Sequence, residues 1–216
     1  MTSRDTIPAP ATVFPVQVPL DFAPTDSQGD GEDLRWDGKP CPCQEPPYRP
    51  SFGGGFRAPR GKFIHGAVDI MAAEGCLVVA PCDGIIPEIV PRMKMDGVVA
   101  DQPGAGTKVK AGHYFFLVSE DGHWRWYGSH LRDAPLVEPG TRVRAGDLLG
   151  YVGRTGNAVR RTRSGLRGCP HLHLGLTALR QDVLRDVRRA GVDFQGRKVD
   201  PVPFLHPLWE DGGWRA

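Results

Sequence analysis

The segment Pro170-His171-Leu172-His173-Leu174-Gly175-Leu176-Thr177 alternates between leucine and a second residue type without interruption. A period of two is the signature of a β-strand, with Leu172, Leu174 and Leu176 on one face. The two imidazoles then project together from the opposite face, about 7 Å apart along the backbone at roughly 3.3 Å per residue. Short apolar runs recur at 64–71, 76–80, 84–90, 113–119, 123–130 and 142–152, separated by glycine-containing turns. This spacing predicts a mainly β domain of antiparallel strands, a sandwich or barrel. Gly106-Thr-Lys-Val-Lys-Ala-Gly112 and Gly140-Thr-Arg-Val-Arg-Ala-Gly146 are nearly the same heptapeptide, and Gly75-Cys-Leu-Val-Val-Ala80 is a weaker copy. Equivalent β corners would produce that echo, and its irregular period argues against a solenoid.

Composition agrees. A chain of 216 residues with 28 glycines and 21 prolines is long enough for one core and too rich in turn residues for a helical bundle. A net charge of +2 is too balanced to argue for nucleic acid. No apolar run approaches the ~18–20 residues of a membrane span. Five cysteines, Cys41, Cys43, Cys76, Cys82 and Cys169, cannot all pair within one chain. Cys41-Pro-Cys43 is half of a metal motif with no second half, so thiols or one disulfide are expected there.

Residues 1–46, rich in Pro, Asp and Gly, read as an extended N-terminal arm that could drape on the domain, with Trp36 as an anchor, ahead of a domain at 47–216. No secretory signal is visible in the arm. One peripheral helix is expected at about 178–190. Thr177 would cap it, Leu179, Val183, Leu184 and Val187 would share a face, and Gly191 would end it. The tail from Val199 to Leu205 is expected to close the domain as an extended segment.

The chemistry concentrates in histidines. His65-Gly66-Ala67-Val68-Asp69 places an imidazole and a carboxylate four residues apart. On a straight strand they would be about 13 Å apart. Two zinc ligands with bonds of about 2.0–2.2 Å need donor atoms within roughly 3–4 Å, so the chain must bend at Gly66 and Ala67. His65, Asp69 and one of the pair His171 and His173 make three protein ligands, which leaves the open fourth position of a catalytic zinc site. No His-Glu-x-x-His helix is present, so the general base must come from elsewhere, and imidazole is the natural candidate. His113, His123 and His206 have no partner pattern. Cys169 shares the parity of His171 and His173, although packing beside the site is its expected role.

Taken together, these stretches resemble the lysostaphin-type zinc metalloendopeptidases, which have the duplicated hybrid motif fold. The resemblance runs through Ser51-Phe-Gly-Gly-Gly-Phe-Arg57, residues 65–70, Ala80-Pro-Cys-Asp-Gly84, Tyr127-Gly-Ser-His-Leu131, residues 140–156, Pro170-His-Leu-His173 and Pro201-Val-Pro-Phe-Leu205. It implies zinc ligands at His65, Asp69 and His173, catalytic histidines at His130 and His171, and peptidoglycan peptides as substrate. The chain departs from the family in three places. Ala67 stands where the family usually has Gly. Tyr127 lies three residues before His130 rather than two, so a bulge is needed to bring both to one face. A basic loop at 157–167, with Arg160, Arg161, Arg163 and Arg167, is inserted before the histidine pair, where it could grip substrate carboxylates.

Other readings are open. A catalytically inactive relative would bind cell wall or regulate a partner hydrolase, although such relatives typically lose zinc ligands. Arg92-Met-Lys-Met95 resembles the hairpin of biotin carrier domains, which would make Lys94 the attachment site. Only ten residues separate Gly84 from Lys94, however, fewer than that hairpin needs. A wall-cutting enzyme acts in the envelope or outside the cell. With no export signal visible, delivery by a phage or phage-tail-like particle, docked through residues 1–46, is one route.

Overall fold

Alternating leucines become the centre of an antiparallel sheet. The computed structural model describes residues 9–22, 35–36, 39–40, 47–61, 63–87, 93–95, 98–100, 110–158, 160–162, 165–167, 169–179 and 197–216. The main sheet runs in the order Arg142–Val143, Gly84–Ile85, His113–Ser119, Trp124–Leu131, His171–Ala178, Val68–Met71 and Ser51–Phe52, with Arg197–Val199 added beside the far half of His171–Ala178. A second sheet joins Val16–Gln17, Leu77–Val79 and Leu148–Tyr151. One apolar cluster ties the two sheets together. It includes Ile70, Leu117, Trp126, Leu172, Leu174 and Leu176 from the first, and Val16, Val78 and Leu149 from the second. The fold is thus mainly β and antiparallel, as the alternation predicts.

Glycines mark the expected corners. Gly75, Gly112, Gly140 and Gly146 all have positive φ, a backbone region that L-residues with a Cβ seldom enter. The remainder of the first heptapeptide, 106–109, lies outside the described residues. So does most of the 178–190 helix, although Ala178 is the last residue of a strand. Lys94 lies on a separate two-stranded hairpin, Met93–Met95 with Val98–Ala100. Among the described residues no helix is long and apolar enough to cross a membrane.

One expectation about the chain ends is corrected. The tail is not extended throughout: Val202–Glu210 is an α-helix. Pro201 at its N-cap and Pro203 in its first turn lack only N–H groups that the helix would leave unbonded anyway. Asp200 Oδ1 accepts the N–H of Val202 at 3.0 Å, and Leu205 is fully buried in the core. Part of the expected arm packs against the domain. Phe14 and Val16 are 1% and 0% exposed, and Val16 pairs with Val78. Trp126 Nε1 donates to the Pro10 carbonyl at 2.9 Å, and Val18 N–H donates to the Trp214 carbonyl at 2.7 Å. The side chain of Trp36, the expected anchor, lies outside the described residues.

Burial at Phe14 gives a direct measure of this stretch. Phe14→Ala should cost about 3–5 kcal/mol of unfolding free energy in urea denaturation. Leu20→Ala, at a side chain 91% exposed, should stay within about 0.5 kcal/mol of the parent protein.

Candidate metal centre

Strand register assembles the site. His173 lies directly opposite Asp69 in the ladder between His171–Ala178 and Val68–Met71, and opposite Ser129 on its other side. Leu172 faces Ile70 and Leu174 faces Val68 on the alternate, core-facing set. The period-two pattern therefore sends leucines to the core and histidines to one shared face. His65 reaches the same place because strand Phe63–Ile64 ends before it, and the chain bends at Ala67 before Val68–Met71 begins.

Three donor atoms converge. His173 Nδ1 lies 2.9 Å from Asp69 Oδ1, His65 Nε2 lies 3.3 Å from the same oxygen, and the two nitrogens are 3.1 Å apart. A tetrahedral ion with bonds of about 2.0–2.1 Å has ligand–ligand edges of about 3.3 Å, so these separations fit one zinc ion. Two imidazoles and a carboxylate are also a donor set that zinc accepts. Among the described residues, His65, Asp69 and His173 are the grouping that could hold a metal.

Backbone carbonyls orient the rings. His65 Nδ1 lies 3.0 Å from the Gly55 carbonyl, His130 Nδ1 2.9 Å from that of Thr155, and His171 Nδ1 2.7 Å from that of Cys169. A carbonyl oxygen only accepts, so each Nδ1 carries the proton and each Nε2 keeps its lone pair. Asp69 divides its oxygens in a similar way. Oδ1 faces the imidazoles, while Oδ2 takes an ion pair from Arg60 Nη2. That pair exists because residue 54 is glycine: a Cβ there would collide with both Asp69 Oδ2 and the Arg60 guanidinium.

Electrostatics keep the donors in their binding forms. Burial alone would raise the Asp69 pKa, but the hydrogen bond from His173 and the close approach of the His65 and His171 rings outweigh it, leaving the carboxyl well below its usual range. Burial pushes His130 down to about 3, helped by His171 and His173. Burial also lowers His171 and His173, although Asp69 pulls both the other way.

His130 occupies the expected bulge. His113 pairs with Leu131 and Tyr114 with Ser129, so His130 is the extra residue between them, and its φ is +69°. Histidine is among the few side-chain-bearing residues that visit this region. The bulge turns His130 to the side already occupied by Tyr127. Its ring lies 4.8 Å from His171 and 5.8 Å from His173, while the Tyr127 ring lies 5.9 Å from His173. His171 Nε2 is 3.8 Å from Asp69 Oδ1, at the margin of the donor cluster.

The other candidates stand apart. His206 stacks on Phe52, and His113 and His123 take no part in the donor cluster. Cys169 is fully buried in a disulfide, so its sulfur faces no metal, although its carbonyl sets the His171 tautomer. Cys41 and Cys43 lie outside the described residues. The basic insertion forms a hairpin, Arg160–Thr162 with Gly165–Arg167, whose second strand pairs in parallel with Arg35–Trp36. The arginine side chains that were expected to grip substrate lie outside the described residues. Pattern reading missed Arg60, which bears no periodic relation to Asp69, and the carbonyls of Gly55 and Thr155. The glycine run 53–55 was the available signal.

Comparison with known proteins finds similar chains. The catalytic domain of the antimicrobial peptidase lysostaphin from Staphylococcus simulans is 24% identical, with 73% of this chain and 92% of that one covered and a TM-score of 0.48. A protein named as a glycyl-glycine endopeptidase, lytM, from Ruminococcus gnavus ATCC 29149 is 23% identical over 95% of this chain, with a TM-score of 0.57, and shares the fold. This chain covers 63% of that protein and 51% of a longer lysostaphin chain. No curated protein matches. The model of Peptidase family M23 matches residues 63–201, more than half of the chain and a span that holds all five clustered residues, so the chain belongs to peptidase family M23.

Proposed function

We propose that this protein is a zinc-dependent endopeptidase that hydrolyses peptide cross-links of bacterial peptidoglycan. The observation that carries the proposal is the cluster itself: three donor atoms at tetrahedral spacing beside two further imidazoles whose Nε2 atoms keep their lone pairs. His65, Asp69 and His173 would hold zinc, which when bound supplies a Lewis acid that lowers the pKa of coordinated water to about 7 and polarises a carbonyl. His171 and His130 are the proton carriers. His171, whose Nε2 keeps its lone pair at the margin of the donor cluster, takes a proton from the attacking water and returns one to the leaving amine, and His130 packs against it as the second imidazole of that relay. A peptide substrate follows the family. The name of the Ruminococcus neighbour, a glycyl-glycine endopeptidase, supports an endopeptidase and does not fix which residues flank the bond cut here. Action would then be in the envelope or outside the cell. A non-catalytic wall-binding relative is disfavoured by the intact donor set, and its metal content would separate the two readings.

Asp69→Ala and His173→Ala should each lose stoichiometric zinc by elemental analysis and lose release of peptides from purified murein. A chelator should do the same to the parent protein, and added zinc should restore it. His171→Ala should keep its zinc while turnover falls by roughly 10²–10⁴. Unchanged turnover would show that the proton carrier lies elsewhere.

The His130 shift also has a stability consequence. Its folded pKa of about 3 lies below the unfolded value of about 6.5, so the unfolded chain binds the proton first as pH falls. That contribution is complete above about pH 6.5 and is lost between there and about pH 3. His171 and His173 add in the same direction. Melting of the chelated protein should therefore drop across this window. His130→Asn, which tolerates positive φ, should drop less.

A further inference from the structure

A cleft of about 620 Å³ opens against His65. Arg57, Arg197 and Lys198 line it, with Asp200 as the acid among the lining residues. Asp200 already accepts the Val202 N–H, and among the described residues none of the three cations is held in an ion pair. Their placement is set by backbone. Arg57 adopts φ +63° and its N–H donates to the His65 carbonyl at 2.7 Å, which ties it to the metal-ligand segment. Lys198 pairs with Thr177, and its ammonium lies over Gly66, where a Cβ would displace it. Gly66 is therefore bare where a cation crosses beside His65. Phe56 and Ile64 complete the lining, and Ile64 is 67% exposed despite being apolar.

We infer that this cleft is a binding subsite for a carboxylate-bearing part of the peptide substrate, a reading that rests on the peptidase proposal. An anion meets three cations here, offset by one acid, and the adjoining apolar wall suits the aliphatic part of the same residue. Cross-linked stem peptides with free carboxylates fit such a cleft, whereas a run of glycines presents neither the charge nor the aliphatic surface. Specificity would then be set beside the metal ligands rather than by them, through KM more than kcat.

The test uses the full, zinc-loaded chain and two fluorescent synthetic stem peptides. They are identical except that one carries free carboxylates and the other their primary amides. Anisotropy should show the free acid binding roughly tenfold tighter, with the gap closing between about 50 and about 500 mM salt. Arg57→Asn combined with Lys198→Glu should abolish the preference, and Lys198→Arg should keep it. Melting and zinc content verify that each variant is folded, and Arg197→Gln, which should narrow the gap, replaces any that is not. Equal affinity of the parent protein for both peptides overturns the subsite. So does a charge reversal that weakens both peptides equally. Digestion of murein by the parent protein is read separately. Discrimination without cleavage would defeat the peptidase reading and leave the cleft standing, and cleavage without discrimination would do the reverse.

Discussion

An ionised carboxylate with no exposed surface is the constraint around which this molecule is arranged. Asp69 has a side chain 0% exposed. Moving such an ion out of water carries a penalty of several kcal/mol even after relaxation, roughly, unless charge and hydrogen bonds surround it. Here His65, His171 and His173 approach one oxygen and Arg60 takes the other. The surrounding chain makes room for this. Gly54 has no side chain because the ion pair fills that volume, and its carbonyl accepts the Asp69 N–H at 2.9 Å. Dividing the two oxygens also fixes which one is free to bind a metal. The same arrangement that compensates the buried charge therefore prepares the donor set.

Precision in the remaining side chains comes from backbone rather than from other side chains. Gly55, Thr155 and Cys169 each contribute a carbonyl. A ring held this way loses one rotational freedom and one tautomer together. The Thr155 segment is itself pinned: Thr155 Oγ1 donates to the Leu131 carbonyl and accepts the His113 N–H at 3.0 Å. The bulge at His130 is thus clamped from both neighbouring stretches, which is how a positive φ on a bulky residue persists.

Legibility followed periodicity. The leucine alternation at 172–176 announced a strand with two histidines on one side because strand geometry leaves no other outcome. The bend at Gly66 and Ala67 followed from distance, and the bulge at His130 followed from the odd spacing to Tyr127. Arg60 was not legible, because its partnership depends on how a hairpin folds over the sheet. The 202–210 helix was hidden by Pro201 and Pro203, which read locally as extended but are harmless in a first helical turn, while Leu205 supplies the tertiary anchor. Residues 9–22 were hidden by their prolines too. Yet Phe14, Val16 and Val18 alternate, and that was the weak sign of a strand edge.

That strand edge matters to the site. Val16–Gln17 covers one side of Leu77–Val79, and Val18 is bonded to Trp214 and Ala216 near the far end of the chain. Both ends of the described chain therefore close over the sheet face opposite the histidines. Trp126 joins the two layers: its indole donates to Pro10, and its backbone pairs with Leu176, three residues along from His173. Through Trp126 the first described stretch is thus tied to the strand that pairs with the one carrying both His171 and His173. The N-terminal prolines then have a structural reason. They stiffen a segment that must lie flat against the core with few ladder bonds of its own.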